Sequence, residues 1–350
     1  MMNKNIALVP ARYYIRLWDI LLSHHIVMDE AAYDFKSDMS KFQKDPELKF
    51  SIHQVEQIIQ ACLSMPHCED LAFELGKSLH LSAHNLVGYA VLTCETLEHA
   101  IKLVTQYFSL IMPSFRASIY YTKTGDIELF IEPVALMDSL TLNFHIEAIA
   151  IALYQNIREL LNQQRCRYSF FLSIHTPAYI RKFEELDNVK FYFNALDKPS
   201  LKVALPQEML NYPLPLADEI TLRTVERRCQ EQMKEITHRH DFPEWIKMVL
   251  MNAYHIPTLS ECAELLNVST KTLQRQLRKQ NIDFNNIRKD VLLSRATQKL
   301  NHSSDSITQI AYELGYSSSS NFSRAFKILQ GMTPEEYREQ SGRKYHSSKV

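Results

Sequence analysis

At 350 residues, with 46 % hydrophobic and 23 % charged residues, the chain has the make-up of a globular protein of two or three domains. The net charge of −1 conceals a split: residues 256–350 carry 14 Lys+Arg against 9 Asp+Glu, or +5, leaving −6 for the remainder, so a polyanion partner is expected for the C-terminal part. Six unclustered glycines exclude a P-loop and a dinucleotide fingerprint, and six scattered cysteines without a C-x-x-C pair exclude a zinc ribbon and a disulfide framework.

The N-terminus lacks the apolar run of a signal peptide. The most apolar segment, residues 140–153, is broken by His145 and Glu147 and is too short for a membrane span. A cytoplasmic protein with reduced thiols is expected, with no cofactor, metal or membrane partner. His24-His25 and His238-x-His240 supply two donors each, too few for a metal site.

Residues 1 to about 115 read as helices, with apolar stripes through Tyr14, Leu17, Trp18, Leu21 and Leu22, then Val55, Ile58, Ile59 and Cys62, then Leu97, Ala100, Ile101, Val104 and Phe108. Alternating patterns at residues 117–122 and 127–132 predict two strands joined by a turn at Gly125-Asp126. A helix follows over about 143–163, then a strand at 168–174 and a shorter extended piece at 189–193. This is an α+β domain. The proline-broken stretch 211–217 ends it, and a polar helix from about 217 to 237 reads as a connector. The expected organisation is residues 1–216 as an α+β domain, 217–240 as the connector helix, and 241–350 as an all-α domain.

The strongest signal is an internal repeat. Residues 259–269 align without gaps on residues 307–317, pairing Leu259 with Ile307, Cys262 with Ile310, Ala263 with Ala311, Leu266 with Leu314 and Val268 with Tyr316. Each copy has the grammar of a helix-turn-helix. Thr258 and Glu261 in the first copy, and Ser306 and Gln309 in the second, form capping boxes. Ala263 and Ala311 give the small contact where helices cross. Asn267 and Gly315 occupy the turns, where a left-handed backbone is cheap for these residues. Ser269 caps the next helix.

The second helix of each copy is two-faced. Leu273 and Leu277 point inward in the first, leaving Thr270, Lys271, Thr272, Gln274, Arg275 and Arg278 for DNA. In the second, Phe322, Ala325, Phe326 and Leu329 point inward, leaving Ser319, Ser320, Asn321, Arg324 and Lys327. Arg, Asn and Gln make bidentate bonds to base edges, whereas Lys, Ser and Thr hold phosphate or bases. Between the copies, residues 284–300 read as one helix of roughly 25 Å. With its flanking helices it can set two recognition helices about one DNA turn, roughly 34 Å, apart.

These residues resemble the AraC/XylS family. Its tail signature is similar to Ile310-Ala-Tyr-Glu-Leu-Gly-Tyr-Ser, then Phe322-Ser-Arg-Ala-Phe-Lys, then Gly331-Met-Thr-Pro-Glu-Glu-Tyr-Arg338, across residues 245–338. Thr333 as N-cap, Pro334 at the first helical position and Glu336 closing a capping box give the last piece a physical sense. Asn267 stands where the family often has glycine, and Leu292 where it often has arginine. The N-terminal part resembles the arabinose-binding-like branch through Leu75-Gly-Lys, Gly88-Tyr-Ala, Leu97-Glu-His-Ala and Asn211-Tyr-Pro-Leu-Pro. The resemblance implies a homodimeric, ligand-responsive transcription activator that binds double-stranded promoter DNA, a small organic effector and RNA polymerase.

Aromatics on the predicted strands point to an apolar effector pocket of about 300 Å³ or more. Tyr120, Phe130 and Phe171 are the expected walls, and Arg116 is placed to meet an anionic head. Two other readings stay open: an N-terminal docking module without ligand, and an alkyl-transfer repair enzyme with a DNA-binding tail. The latter needs an activated cysteine, and only His67-Cys68 offers a neighbouring base.

Overall fold

The computed structural model describes residues 7–24, 26, 35–135, 137–162, 166–238, 246, 250, 256–265, 268–279, 281–302 and 305–339. The chain divides into two compact units, with a boundary between Ile236 and Thr237.

The N-terminal unit begins with β1 (Ala7–Pro10), α1 (Ala11–Ser23), α2 (Phe35–Lys44), β2 (Lys49–Ser51) and α3 (Ile52–Leu63). Strands β1 and β2 pair antiparallel, with Val9 opposite Phe50. This corrects the purely helical expectation for residues 1–115. Strands of 4 and 3 residues are too short to display a period of two, and their pairing depends on a distant partner. Ser51 and Gln54 form the capping box that starts α3.

Next come α4 (Leu71–Ser78), α5 (Asn85–Leu92) and α6 (Leu97–Ile111), the last capped by the Thr96 side chain. Gly88 is where α5 meets the turn before it. A Cβ there would stand 1.8 Å from the Leu81 carbonyl oxygen, so only glycine fits. Gly88→Ala is expected to cost about 1–3 kcal/mol or more through the forced backbone shift, read by chemical denaturation of the whole chain. A wild-type midpoint in that variant would contradict this close approach.

A five-stranded sheet follows from β3 (Phe115–Tyr121), β4 (Ile127–Pro133), β5 (Tyr168–Leu172), β6 (Val189–Tyr192) and β7 (Leu201–Leu205), in the order β3-β4-β7-β5-β6. Only β5 and β6 pair parallel among the described strands. Helix α7 (Ser139–Leu161) lies between β4 and β5 in the chain, and the four-residue α8 (Arg181–Glu184) lies between β5 and β6. Strand β7 was not foreseen, although Leu201, Val203 and Leu205 alternate with Lys202 and Ala204 as a half-buried strand should. Helix α7 starts at Ser139, four residues before the expected position. Asp138 caps it by accepting a 2.7 Å bond from the Thr141 amide.

After α9 (Gln207–Leu210) comes α10 (Glu219–His238), a helix over the stretch expected to connect the two parts. It packs as part of the N-terminal unit. Leu222, Cys229 and Met233 are buried, and the Tyr107 hydroxyl donates to Glu226 at 3.3 Å.

The C-terminal unit is helical throughout its described residues: α11 (Leu259–Leu265), α12 (Thr270–Lys279), α13 (Phe284–His302), α14 (Ile307–Glu313), α15 (Ser319–Gln330) and a last helical stretch at 334–339. Thr333 and Glu336 cap that stretch reciprocally, at 2.7 and 3.2 Å. Phe326 holds it in place by edge contact with Tyr337, the ring centroids 5.6 Å apart.

Candidate functional site

Both helix-turn-helix units assemble from local chemistry. The Thr258 amide donates to Glu261 at 2.7 Å, and the Glu261 amide to the Thr258 hydroxyl at 3.3 Å. The Ser306 amide donates to Gln309 at 2.9 Å, answered by the Gln309 amide on the Ser306 hydroxyl at 3.2 Å. Gly315 turns the second unit at φ +84°, a conformation costly for residues with a Cβ. Asn267, its counterpart, and Leu266 lie outside the described residues. Ser269 caps α12 through the Thr272 amide at 3.1 Å. Ser318 caps α15 through the Asn321 amide at 3.2 Å, a role the sequence reading did not assign.

Helices α12 and α15 divide their faces as their patterns predict. Leu273, Leu277, Phe322 and Phe326 are buried together with Cys262, Ala263, Ile310, Ala311 and Leu314. Thr270, Lys271, Gln274, Arg275 and Arg278 are exposed on α12, as are Ser320, Asn321, Arg324 and Lys327 on α15; Thr272 and Ser319 are half-buried. The Thr272 hydroxyl is engaged with Ser269 at 2.8 Å, and Asn321 donates to Ser317 at 3.0 Å. The five cations of the two stripes pair with no carboxylate among the described residues, so their charge is available to phosphate. Leu329 departs from its expected inward position and is 37 % exposed, because Phe322 and Phe326 already complete the buried stripe. Leu292 is buried and serves packing, which accounts for an apolar residue at that position.

The N-terminal unit contains a cavity of about 90 Å³ bounded by α1, α5, α6, α7 and the inner face of the sheet. This is well below the volume expected for an effector pocket, because large side chains of α1, α4, α5, α6 and α7 converge there. Its wall is apolar apart from Tyr13, Tyr14, His84, His145 and Asn156. The Tyr14 hydroxyl lies 2.6 Å from His145 Nε2, while His145 Nδ1 meets the Thr141 carbonyl at 2.7 Å. The carbonyl can only accept, so Nδ1 carries the proton and Nε2 accepts from Tyr14. Burial pushes His145 down to about 4 and, helped by the charges of Arg12 and Arg16, His84 down to about 3. Both rings are therefore neutral at physiological pH.

Arg116, Tyr120, Phe130 and Phe171, expected around the effector, do not line this cavity. Strand alternation places them on the opposite face of the sheet. Ile127, Leu129 and Ile131 are buried inward, while Phe130 pairs across β4 and β7 with Lys202 on the outward side. There Arg116 bonds Glu132 at 3.1 Å, and the Lys202 ammonium lies 4.4 Å from the Phe171 ring centroid. Tyr120 is more than half exposed. This sheet carries rings on both faces, so aromatic content by itself does not single out the residues that line the cavity.

A family model described as the arabinose-binding domain of the AraC transcription regulator, N-terminal, matches residues 40–214, half of the chain, and a helix-turn-helix domain model matches residues 262–340. The chain belongs to the AraC family of transcription regulators. It is a DNA-binding regulator with an arabinose-binding-type effector domain. This AraC-family chain is 26 % identical over 345 residues to the ornithine utilization regulator of Pseudomonas aeruginosa, covering 97 % of this chain and 98 % of that one. The HTH-type transcriptional activator CfaD of Escherichia coli is 36 % identical over 80 residues, 23 % of this chain and 30 % of that protein. The solved structure of the transcriptional regulator CdpR from Pseudomonas aeruginosa aligns with a TM-score of 0.45 and 19 % identity, over 94 % of this chain and 98 % of that one.

The family and these relatives are transcription regulators, not enzymes. In this AraC-family regulator all six cysteines are buried, and burial, with the charges of Glu69 and Asp70 adding to it, raises the Cys68 thiol beside His67 above its ordinary value, opposite to the lowering an activated nucleophile needs. Among the described residues no cluster of three or more His, Cys, Asp or Glu could hold a metal, and no helix is long and apolar enough to cross a membrane. His25 and His240 lie outside the described residues. The cavity's polar residues were missed, although Asn156 within the predicted helix 143–163 was a readable signal: a buried amide needs partners.

Proposed function

We propose that this regulator activates transcription by binding promoter DNA as a homodimer, with a small organic effector in the N-terminal unit setting its affinity or its presentation of the DNA-binding units. The observation that carries the DNA reading is the pair of capped helix-turn-helix units. Each has a cation-bearing polar stripe on a helix whose other face is buried. In this reading α12 and α15 enter successive major grooves, with Thr270, Lys271, Thr272, Gln274, Arg275 and Arg278 in one and Ser319, Ser320, Asn321, Arg324 and Lys327 in the other. Arg275 and Arg324 read bases, and Lys271 and Lys327 hold phosphate. The activating role is carried over from the relative named as a transcriptional activator, and RNA polymerase as partner and a cytoplasmic location belong to the same proposal. Functionally the chain divides into residues 1–216 for effector and dimer contacts, 217–240 as transmitting helix and 241–350 for DNA. The effector site moves from the outward sheet face to the cavity. A second reading, an N-terminal docking module without ligand, is favoured by that cavity's small volume.

The test is a comparison of two substitutions on α15. Arg324→Ala is expected to cost about 1–3 kcal/mol on the cognate operator and to relax preference at one base pair. Lys327→Ala is expected to weaken all sequences alike and to lower the salt slope by about one. Operator panels titrated at several salt concentrations read both effects. An Arg324→Ala protein with unchanged base preference would overturn the assignment.

A further inference from the structure

Two hydrogen-bonded pairs line the N-terminal cavity, and they differ in one respect. The pair of Tyr14 and His145 is closed: the hydroxyl gives its proton to Nε2, and Nδ1 gives its own to the Thr141 carbonyl. The chain through Tyr13, His84 and Asn156 is open. His84 Nδ1 lies 3.1 Å from the Tyr13 hydroxyl, and Asn156 Nδ2 donates to His84 Nε2 at 3.1 Å. The remaining end of the amide, Asn156 Oδ1, is buried without a hydrogen-bond partner among the described residues, on a side chain only 8 % exposed. Leaving such an atom unpaired forfeits a hydrogen bond that water would supply to it in the unfolded chain. Asn156 is itself part of the cavity wall.

The chemistry of the wall narrows what meets this atom. No charged side chain lines the cavity, so a carboxylate or an ammonium group would be desolvated without a counter-ion. A pure hydrocarbon would fill the space and leave Oδ1 orphaned. A hydroxyl satisfies it by donating. If the amide turns over, with His84 shifting to the tautomer protonated at Nε2, the same hydroxyl accepts from the Asn156 amide instead. The volume of about 90 Å³ admits only a small body.

The geometry points to a small uncharged alcohol as the ligand class of this cavity, with its apolar body among the α5, α6 and α7 side chains and its hydroxyl on Asn156. The inference rests on the reading that the N-terminal unit holds an effector, and it names the chemistry of that effector. Asn156 is then the specificity-determining residue, and the chain through His84 to Tyr13 on α1 ties the ligand's head to the opposite wall.

The test uses the full-length protein and an isosteric set of probes: cyclopentanol, methylcyclopentane, cyclopentanecarboxylate and cyclopentylammonium. Cyclopentanol is expected to raise the melting temperature with concentration and to shift the Asn156 side-chain amide signals in heteronuclear NMR. The two ions should do neither. Asn156→Leu is expected to weaken cyclopentanol at least tenfold while leaving methylcyclopentane bound as well or better. The NMR shift on the wild-type protein decides the matter should that variant not fold. The inference is overturned if either ion binds as well as the alcohol, if the Asn156 amide is unmoved, or if Asn156→Leu holds cyclopentanol as the wild type does. Operator titrations with cyclopentanol separate the two levels. Binding at Asn156 with unchanged operator affinity upholds the ligand class and defeats the effector reading. An operator response to other compounds without alcohol binding does the reverse.

Discussion

A Phe322→Ala protein is expected to lose about 3–5 kcal/mol from its C-terminal unit and, with it, specific operator binding. Phe322 is 2 % exposed and sits at the centre of an aromatic row. Its ring centroid lies 5.4 Å from that of Tyr316 and 5.7 Å from that of Phe326, which in turn contacts Tyr337. Alanine leaves a void between α14 and α15 that neighbouring rings cannot close without moving the turn at Gly315. A unit of this size has about 5–15 kcal/mol of stability in all, so the loss is a large part of it. Thermal melting followed by circular dichroism, together with electrophoretic shift of an operator fragment, checks the outcome. Ile328→Ala is the control on the same helix. That side chain is 76 % exposed, and its removal should change stability by no more than about 0.5 kcal/mol. Equal melting of the two variants would show that the second helix-turn-helix is not built around this ring.

Glu147 is expected to make the N-terminal unit less stable as pH rises from about 4.5 to about 7. The carboxyl is buried in α7, and burial pushes it up from 4.5 to about 7, with the nearby Asp70 charge adding to the rise and hydrogen bonds from Tyr179 opposing it. The Tyr179 hydroxyl lies 2.8 and 2.9 Å from its two oxygens, and Lys182 bridges Asp70 and Glu74 beside it. Below 4.5 both folded and unfolded chains hold the proton, and the group leaves stability unchanged. Between 4.5 and 7 the unfolded chain releases it while the folded one retains it, so stability falls with rising pH. Above 7 both are ionised and the full loss, about 3 kcal/mol, is reached. Glu147→Gln keeps an acceptor for Tyr179 and removes the titration. Its denaturation midpoint should therefore exceed that of the wild type at pH 8, and the two should converge near pH 4.5. Parallel curves across that range would mean that the folded chain does not hold this proton.

How much could be read from the sequence follows from how local each feature is. Each capping box in the C-terminal unit closes within three residues, the turn at Gly315 needs one backbone conformation, and the burial of Leu273, Leu277, Phe322 and Phe326 follows from helical spacing alone. Two copies of that grammar point to a DNA-binding unit without reference to any distant residue. The family models and the exposed stripes of α12 and α15 agree with it. The α+β character of the N-terminal unit was legible in the same way, from alternation in β3, β4 and β5 and from the apolar run of α7.

What lay beyond the sequence is whatever depends on two distant segments meeting. Strands β1 and β2 are too short to announce themselves and exist because each supplies the other's hydrogen bonds. Alternation told that Phe130 and Ile131 face opposite ways, but which face is inward was decided by the helices that cover one side of the sheet, and so Arg116, Tyr120, Phe130 and Phe171 fell outside the cavity. The cavity itself joins Tyr13 and His84, 71 positions apart, and His84 and Asn156, 72 positions apart. By itself the sequence determined a DNA-binding regulator with two helix-turn-helix units, because helix caps and helical faces are set within a few residues. Only the tertiary structure decided which residues enclose the cavity and left Asn156 Oδ1 without a partner among the described residues, because burial without a partner is a property of the packed chain and not of any segment of it.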